Sequence, residues 1–188
     1  MNFRGIAIVA TGLLAFSAGA HASDAQKIDP RSVLQRYVDA INAGDTDAAL
    51  ALWSADGVMT NTRGRTITGR ENLRRFIQGN IAGKQRLDLE SVQTVGDKVT
   101  WNNRESNDSY RKLGVAPVQI TAELLIQDGM IKSWVAYFPP SEITRIEQAC
   151  AMPEAQGVLL NNQPCSQFIG QAKAHTASVI ASSAADKR

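Results

Sequence analysis

The stretch Asn102-Asn-Arg-Glu-Ser-Asn-Asp108 is dense in groups that hydrogen-bond or move protons. Asn103 and Glu105 stand two apart in a segment that alternates like a β-strand, so their side chains project to the same side. If that side looks into an apolar cavity, loss of hydration disfavours the ionised carboxylate, raises the pKa of Glu105 and makes it a candidate general acid or base. The competing reading is a solvated polar strand edge. Tyr37, on a segment with helical spacing, is a second candidate, either as a hydroxyl donor or as a core residue with one hydrogen-bond partner.

What the chain lacks narrows the chemistry. Of two histidines, His21 falls in a leader and His175 in an Ala/Ser-rich tail. A Ser–His or Cys–His nucleophile and a His-type zinc site are therefore not expected, and neither is any other metal or cofactor. Lys plus Arg number 20 against 18 Asp plus Glu, a balance that gives nucleic acid no electrostatic footprint. With 188 residues, 44% hydrophobic and 20% charged, the chain has material for one folded domain with something attached.

The attachment begins at the N-terminus. Met1 to Arg4 carry a positive charge, Gly5 to Ala20 carry none, and Ala20-His21-Ala22 has the small-residue pattern of a signal-peptidase site. Residues 1–22 are expected to be a signal peptide, leaving a periplasmic or secreted protein. A membrane anchor is the alternative, but this run, padded with Gly, Ala, Thr and Ser, falls short of the roughly 20 apolar residues a span needs. In an oxidising compartment Cys150 and Cys165 are expected to form a disulfide rather than present a reactive thiol.

The elements that must position these residues follow from periodicity. Val33, Tyr37, Val38 and Ile41 follow Asp29-Pro30 at amphipathic helical spacing up to Asn42-Ala43-Gly44. Asp45 caps a second helix through Ala48 to Trp53, stopped by Asp56-Gly57, and Gly69-Arg70-Glu71 opens a third. Val58 to Thr60 read as a short strand. From Arg86 the period becomes two: Leu87/Leu89, Val92 to Val95, Val99/Trp101, Val118 to Ile126 and Ile131 to Phe138, with turns at Gly96-Asp97 and Asp128-Gly129. Three helices followed by an antiparallel sheet predict an α+β fold whose curved sheet wraps the first helix and encloses a cavity.

The stretches Val33 to Asp45, Ala48 to Trp53 and Gly129 to Phe138 resemble the nuclear transport factor 2-like superfamily, in its SnoaL-like and ketosteroid-isomerase-like branches. The resemblance covers Pro30 to Phe138 and implies a cone of curved sheet and three helices. Together with the leader and the cysteine pair, it divides the chain into a signal peptide (1–22), a SnoaL-like domain (23–138) and a C-terminal extension (139–188), not accounted for by the family, with the disulfide and a disordered end. Similarity to ketosteroid isomerase puts that family's phenolic donor on Tyr37, its base on Asn61 and its second donor on Ala122. Similarity to limonene epoxide hydrolase puts its water-positioning pair on Met59 and Asn61, its bridging arginine on Asn103 and its two aspartates on Glu105 and Ala136. Only Tyr37 and Glu105 keep acid/base character.

Glu105, Asn61 and Tyr37 are therefore the catalytic candidates. Met59, Asn61, Trp101, Asn103, Ala122, Trp134 and Ala136 are the expected ligand-binding set. Two functions are open: a module that binds a small apolar or polycyclic molecule, or an isomerase, cyclase or hydrolase that uses Glu105 as a single acid/base. The expected partner is a small apolar ligand, with a homodimer left open and neither nucleic acid nor stable membrane insertion after cleavage.

Overall fold

In the computed structural model, residues 28–152 and 155–185 are described. The signal peptide expected at 1–22 lies outside them. Helix α1 (Pro30–Ala43) starts where the Asp29 side chain accepts from the Arg31 N–H, and it ends at Gly44 with φ 74°, the left-handed cap a residue without Cβ adopts at no steric cost. Its Val33, Leu34, Tyr37, Val38 and Ile41 are buried, as their spacing predicts. Asp45 caps α2 (Thr46–Ala51) by accepting from the Ala48 N–H.

Helix α2 is shorter than its sequence suggests. Trp53 opens β1 (Trp53–Thr60) instead of closing the helix, and β1 and β2 (Thr66–Thr68) precede α3 (Arg70–Ala82). Asp56-Gly57, which reads as a stop, lies in an irregularity of the β1 register between Trp53 and Val58. A Cβ on Gly57 would come within 2.9 Å of the Trp53 ring. The glycine is there because the strand kinks over that indole.

The remaining strands are β3 (Arg86–Val95), β4 (Lys98–Ser106), β5 (Val118–Gln127) and β6 (Met130–Tyr137), with α4 (Asp108–Lys112) between β4 and β5. The sheet order is β2-β1-β6-β5-β4-β3. Strands β3 to β6 form an antiparallel meander, but β1 pairs with β6 in parallel, a departure from the all-antiparallel expectation. Asn42 joins helix to sheet: its amide donates to the Leu87 carbonyl at 2.8 Å and accepts from the Leu87 N–H at 2.9 Å.

The extension is an integral part of this body. Helix α5 (Pro140–Cys150), a two-stranded hairpin of β7 (Leu159–Leu160) and β8 (Gln163–Pro164), and α6 (Cys165–Ala185) follow the sheet, and Cys150 is bonded to Cys165. The disordered end expected for the tail is instead helix to Ala185, because Phe168, Ile169, Ala172 and Thr176 bury one face. Phe168 packs on Phe138 with ring centroids 6.0 Å apart, and the Thr176 hydroxyl donates to the Phe138 carbonyl. His175 is likewise part of the folded body, half-buried with Nε2 3.1 Å from the Ala136 carbonyl oxygen. Among the described residues no helix is long and apolar enough to cross a membrane.

Candidate functional site

A cavity of about 340 Å³ opens between the inner sheet face, α1, α3 and the β7–β8 hairpin. Strand alternation sets its floor. Along β4, Trp101, Asn103 and Glu105 are buried while Asn102 and Arg104 are exposed, so the polar run is a solvated face on one side and a cavity wall on the other. Register places Glu105 between Leu87 and Val118, and Asn103 between Leu89 and Ile120. A carboxyl and an amide thus sit in an otherwise apolar row.

Burial pushes the Glu105 carboxyl up from about 4.5 to about 7, against hydrogen bonds from Gln85 and Asn107 that favour the ionised form. Asn107 Nδ2 donates to Glu105 Oε1 at 3.2 Å while its Oδ1 accepts from the Tyr110 N–H. The N-cap of α4 therefore fixes Asn107, leaving its NH₂ toward the carboxyl. Burial first, then the field of Glu105, raises the pKa of both Tyr37 and Tyr110, so both phenols stay protonated as donors.

Asn61 lines the same cavity, but its oxygen is committed to shaping a loop. Asn61 Oδ1 accepts from the Arg63 and Arg65 N–H groups at 3.0 and 3.1 Å, which leaves its NH₂ as the group free to act. The partners of Glu105 are Asn107 and Gln85, and no hydrogen bond links it to Asn61. Tyr37 sits in an aromatic cluster, 5.0 Å from Trp134 and 6.2 Å from Trp53 between ring centroids, and Trp101 meets Trp134 edge-on at 5.0 Å. It is both core and cavity wall. Three cavity-lining side chains, Arg63, Trp101 and Asn103, each keep a buried polar atom without a hydrogen-bond partner, the guanidinium Nε, the indole Nε1 and the amide Oδ1.

Tyr37, Met59, Asn61, Trp101, Asn103, Glu105, Trp134 and Ala136 all line the cavity. Ala122 does not: it is fully buried in the sheet, in register with Trp101 and Ala136, and its larger neighbour Trp101 forms the wall there. The sequence reading missed Gln85, Asn107, Tyr110, Asn161 and Asn162, which also contribute. The Asn107-Asp108 cap was a legible signal, as was Asn161-Asn162, where positive φ at both residues makes the two-residue turn of β7–β8. Phe76 is only partly buried and lines the cavity.

A family model described as a SnoaL-like domain matches residues 34–134. No curated protein matches the chain. Among solved structures, it is similar to an NTF2-like protein of unknown function from Cytophaga hutchinsonii, at 15% identity and a TM-score of 0.52 over 64% of this chain and 98% of that one. It is also similar to a cystatin-fold protein from Novosphingobium aromaticivorans, at 18% and 0.51 over 58% and 97%. A third similar structure is the epoxide hydrolase/cyclase-like enzyme SalBIII, associated with pyran ring formation in salinomycin, at 15% and 0.53 over 60% and 92%. At these identities the likeness is one of fold.

Proposed function

Because this chain belongs to the SnoaL-like domain family, we propose that it is an exported protein whose cone cavity binds a small apolar or polycyclic molecule. The observation that carries this is that two of the partnerless buried atoms on the cavity lining, Trp101 Nε1 and Asn103 Oδ1, are a donor and an acceptor two residues apart on β4. Buried polar groups are ordinarily satisfied, so a donor and an acceptor left open beside a cavity are suited to a ligand that supplies both partners. Aromatic rings from Tyr37, Trp101 and Trp134 offer its body a contact surface.

A second reading is favoured by Glu105 alone. A carboxyl at about 7 exchanges its proton near neutrality and suits a single-residue acid/base step of the isomerase or cyclase kind. The binding reading ranks first because Ala136 and Asn61 stand where a second carboxylate would be needed, and the Asn61 oxygen is occupied.

Native mass spectrometry of the protein purified from its exported fraction tests both the export and the ligand. A chain starting at Ser23 with a small molecule bound, lost in Trp101→Ala, is expected. An unoccupied protein that also gives no saturable change in tryptophan fluorescence with steroid or naphthalene ligands overturns the binding reading. Turnover that disappears in Glu105→Gln, with a rate profile breaking near pH 7, would promote the enzymatic one.

A further inference from the structure

The charges around the cavity are arranged in depth. Three arginines line it, Arg63, Arg65 and Arg75, while among the described residues the only acid in its lining is Glu105 on the β4 floor. Among the described residues none of the three arginines takes part in an ion pair. Arg63 is half-buried, with one terminal nitrogen donating to Gln163 Oε1, its Nε without a partner and its guanidinium 5.9 Å from the Phe168 ring centroid. Arg65 and Arg75 are exposed, and the Asn61 loop turn holds the backbone that carries Arg65.

We infer that the ligand is a carboxylate-bearing apolar molecule, with an uncharged hydroxyl in the depth and its carboxylate at the mouth between Arg65 and Arg75. This rests on the binding reading above and assigns it a ligand class. A hydroxyl is both donor and acceptor, so it answers the Trp101 N–H and the Asn103 oxygen together. A carboxylate at that depth would meet the Glu105 carboxyl without a cation beside it and would lose its hydration, whereas at the mouth it stays partly hydrated and faces fixed positive charge. About 340 Å³ is near the lower end of ligand-pocket volumes, roughly 300–1,000 Å³, and fits a body of a few fused rings.

Calorimetric titration of the full chain with 6-hydroxy-2-naphthoate, its carboxamide and the corresponding aminomethyl compound tests this. The acid is expected to bind about tenfold more tightly than the amide at low salt, a preference that shrinks as salt screens the exposed arginines. The double substitution Arg65→Ala/Arg75→Ala should bring the acid to within about twofold of the amide, the loss falling mainly on the acid, and Arg65→Lys/Arg75→Lys should keep much of the preference. Equal binding of acid and amide, or tightest binding by the amine, overturns the ligand class but leaves the binding reading standing. Failure of all three probes to bind overturns the ligand class, and joined to an unoccupied protein with no response to steroids it overturns the binding reading as well.

Discussion

The cone and the C-terminal extension reach burial by different routes. In the cone, long apolar side chains recur with clean periods: Val33, Tyr37 and Ile41 on α1, and Val118, Ile120, Ala122, Leu124 and Ile126 along β5. In the extension, α5 buries Ile143 and Ile146, whereas the longer α6 buries a face of Phe168, Ile169, Ala172 and Thr176, two large residues and two small ones, supplemented by a covalent link and by polar clamps. Arg145 donates to the Val115 and Pro117 carbonyls at 2.8 Å each and pairs with the buried Glu142. The extension is thus held by a short apolar seam together with covalent and polar points, and its β7–β8 turn forms part of the cavity wall.

The contrast breaks most sharply at Phe168. It is fully buried against Phe138, so Phe168→Ala is expected to cost about 3–5 kcal/mol in denaturant unfolding. A loss under about 1 kcal/mol would mean that the extension is an appendage. Replacing Cys150 and Cys165 by Ser should cost on the order of 3 kcal/mol for a bridge of sequence separation 15, and it should widen the cavity mouth, seen as faster hydrogen exchange at Asn161 and Asn162.

The cone has its own test at Glu105. Its folded pKa is raised, so the proton is held more tightly in the folded state. That contribution is complete below about 4.5 and is lost as pH rises to about 7. It amounts to an order of 3 kcal/mol. Asp56 and Asp108, whose pKa values are lowered chiefly by hydrogen bonds from Lys132 and Arg111, act with the opposite sign. The difference between wild type and Glu105→Gln isolates the effect: the variant is expected to be the more stable protein above pH 7, with the gap closing near pH 4. A gap independent of pH would place the carboxyl in water. The smallest effect belongs to the seam, where Asn42→Ala removes both hydrogen bonds to Leu87 and should cost about 1–2 kcal/mol.

The same contrast explains what was legible in the sequence. Alternation from Leu87 to Phe138 is a direct imprint of a sheet with one buried face, and it located β3 to β6, Asn103 and Glu105. Three things hid elsewhere. Gly57 reads as a terminator but serves a strand irregularity; α6 buries alanine and threonine, which leave little contrast with its exposed serines; and the contacts of Asn161 and Asn162 depend on a hairpin brought back across more than fifty residues from Glu105. The site's floor is local in sequence, whereas its rim is assembled from distant segments and has no period to betray it.

The parallel pairing of β1 with β6 also orders events in time. Strands β3 to β6 follow one another as neighbours and can zip by short loop closures, whereas β1 is synthesised before them and finds its partner only when β6 exists, with register pairs such as Met59–Trp134. Non-local pairing of this kind is slow because the closure entropy is spent before contacts reward it. Met59 and Trp134 stand side by side on the cavity wall, so that wall is expected to be completed late in folding, and a chain still emerging residue by residue has no pocket to fill.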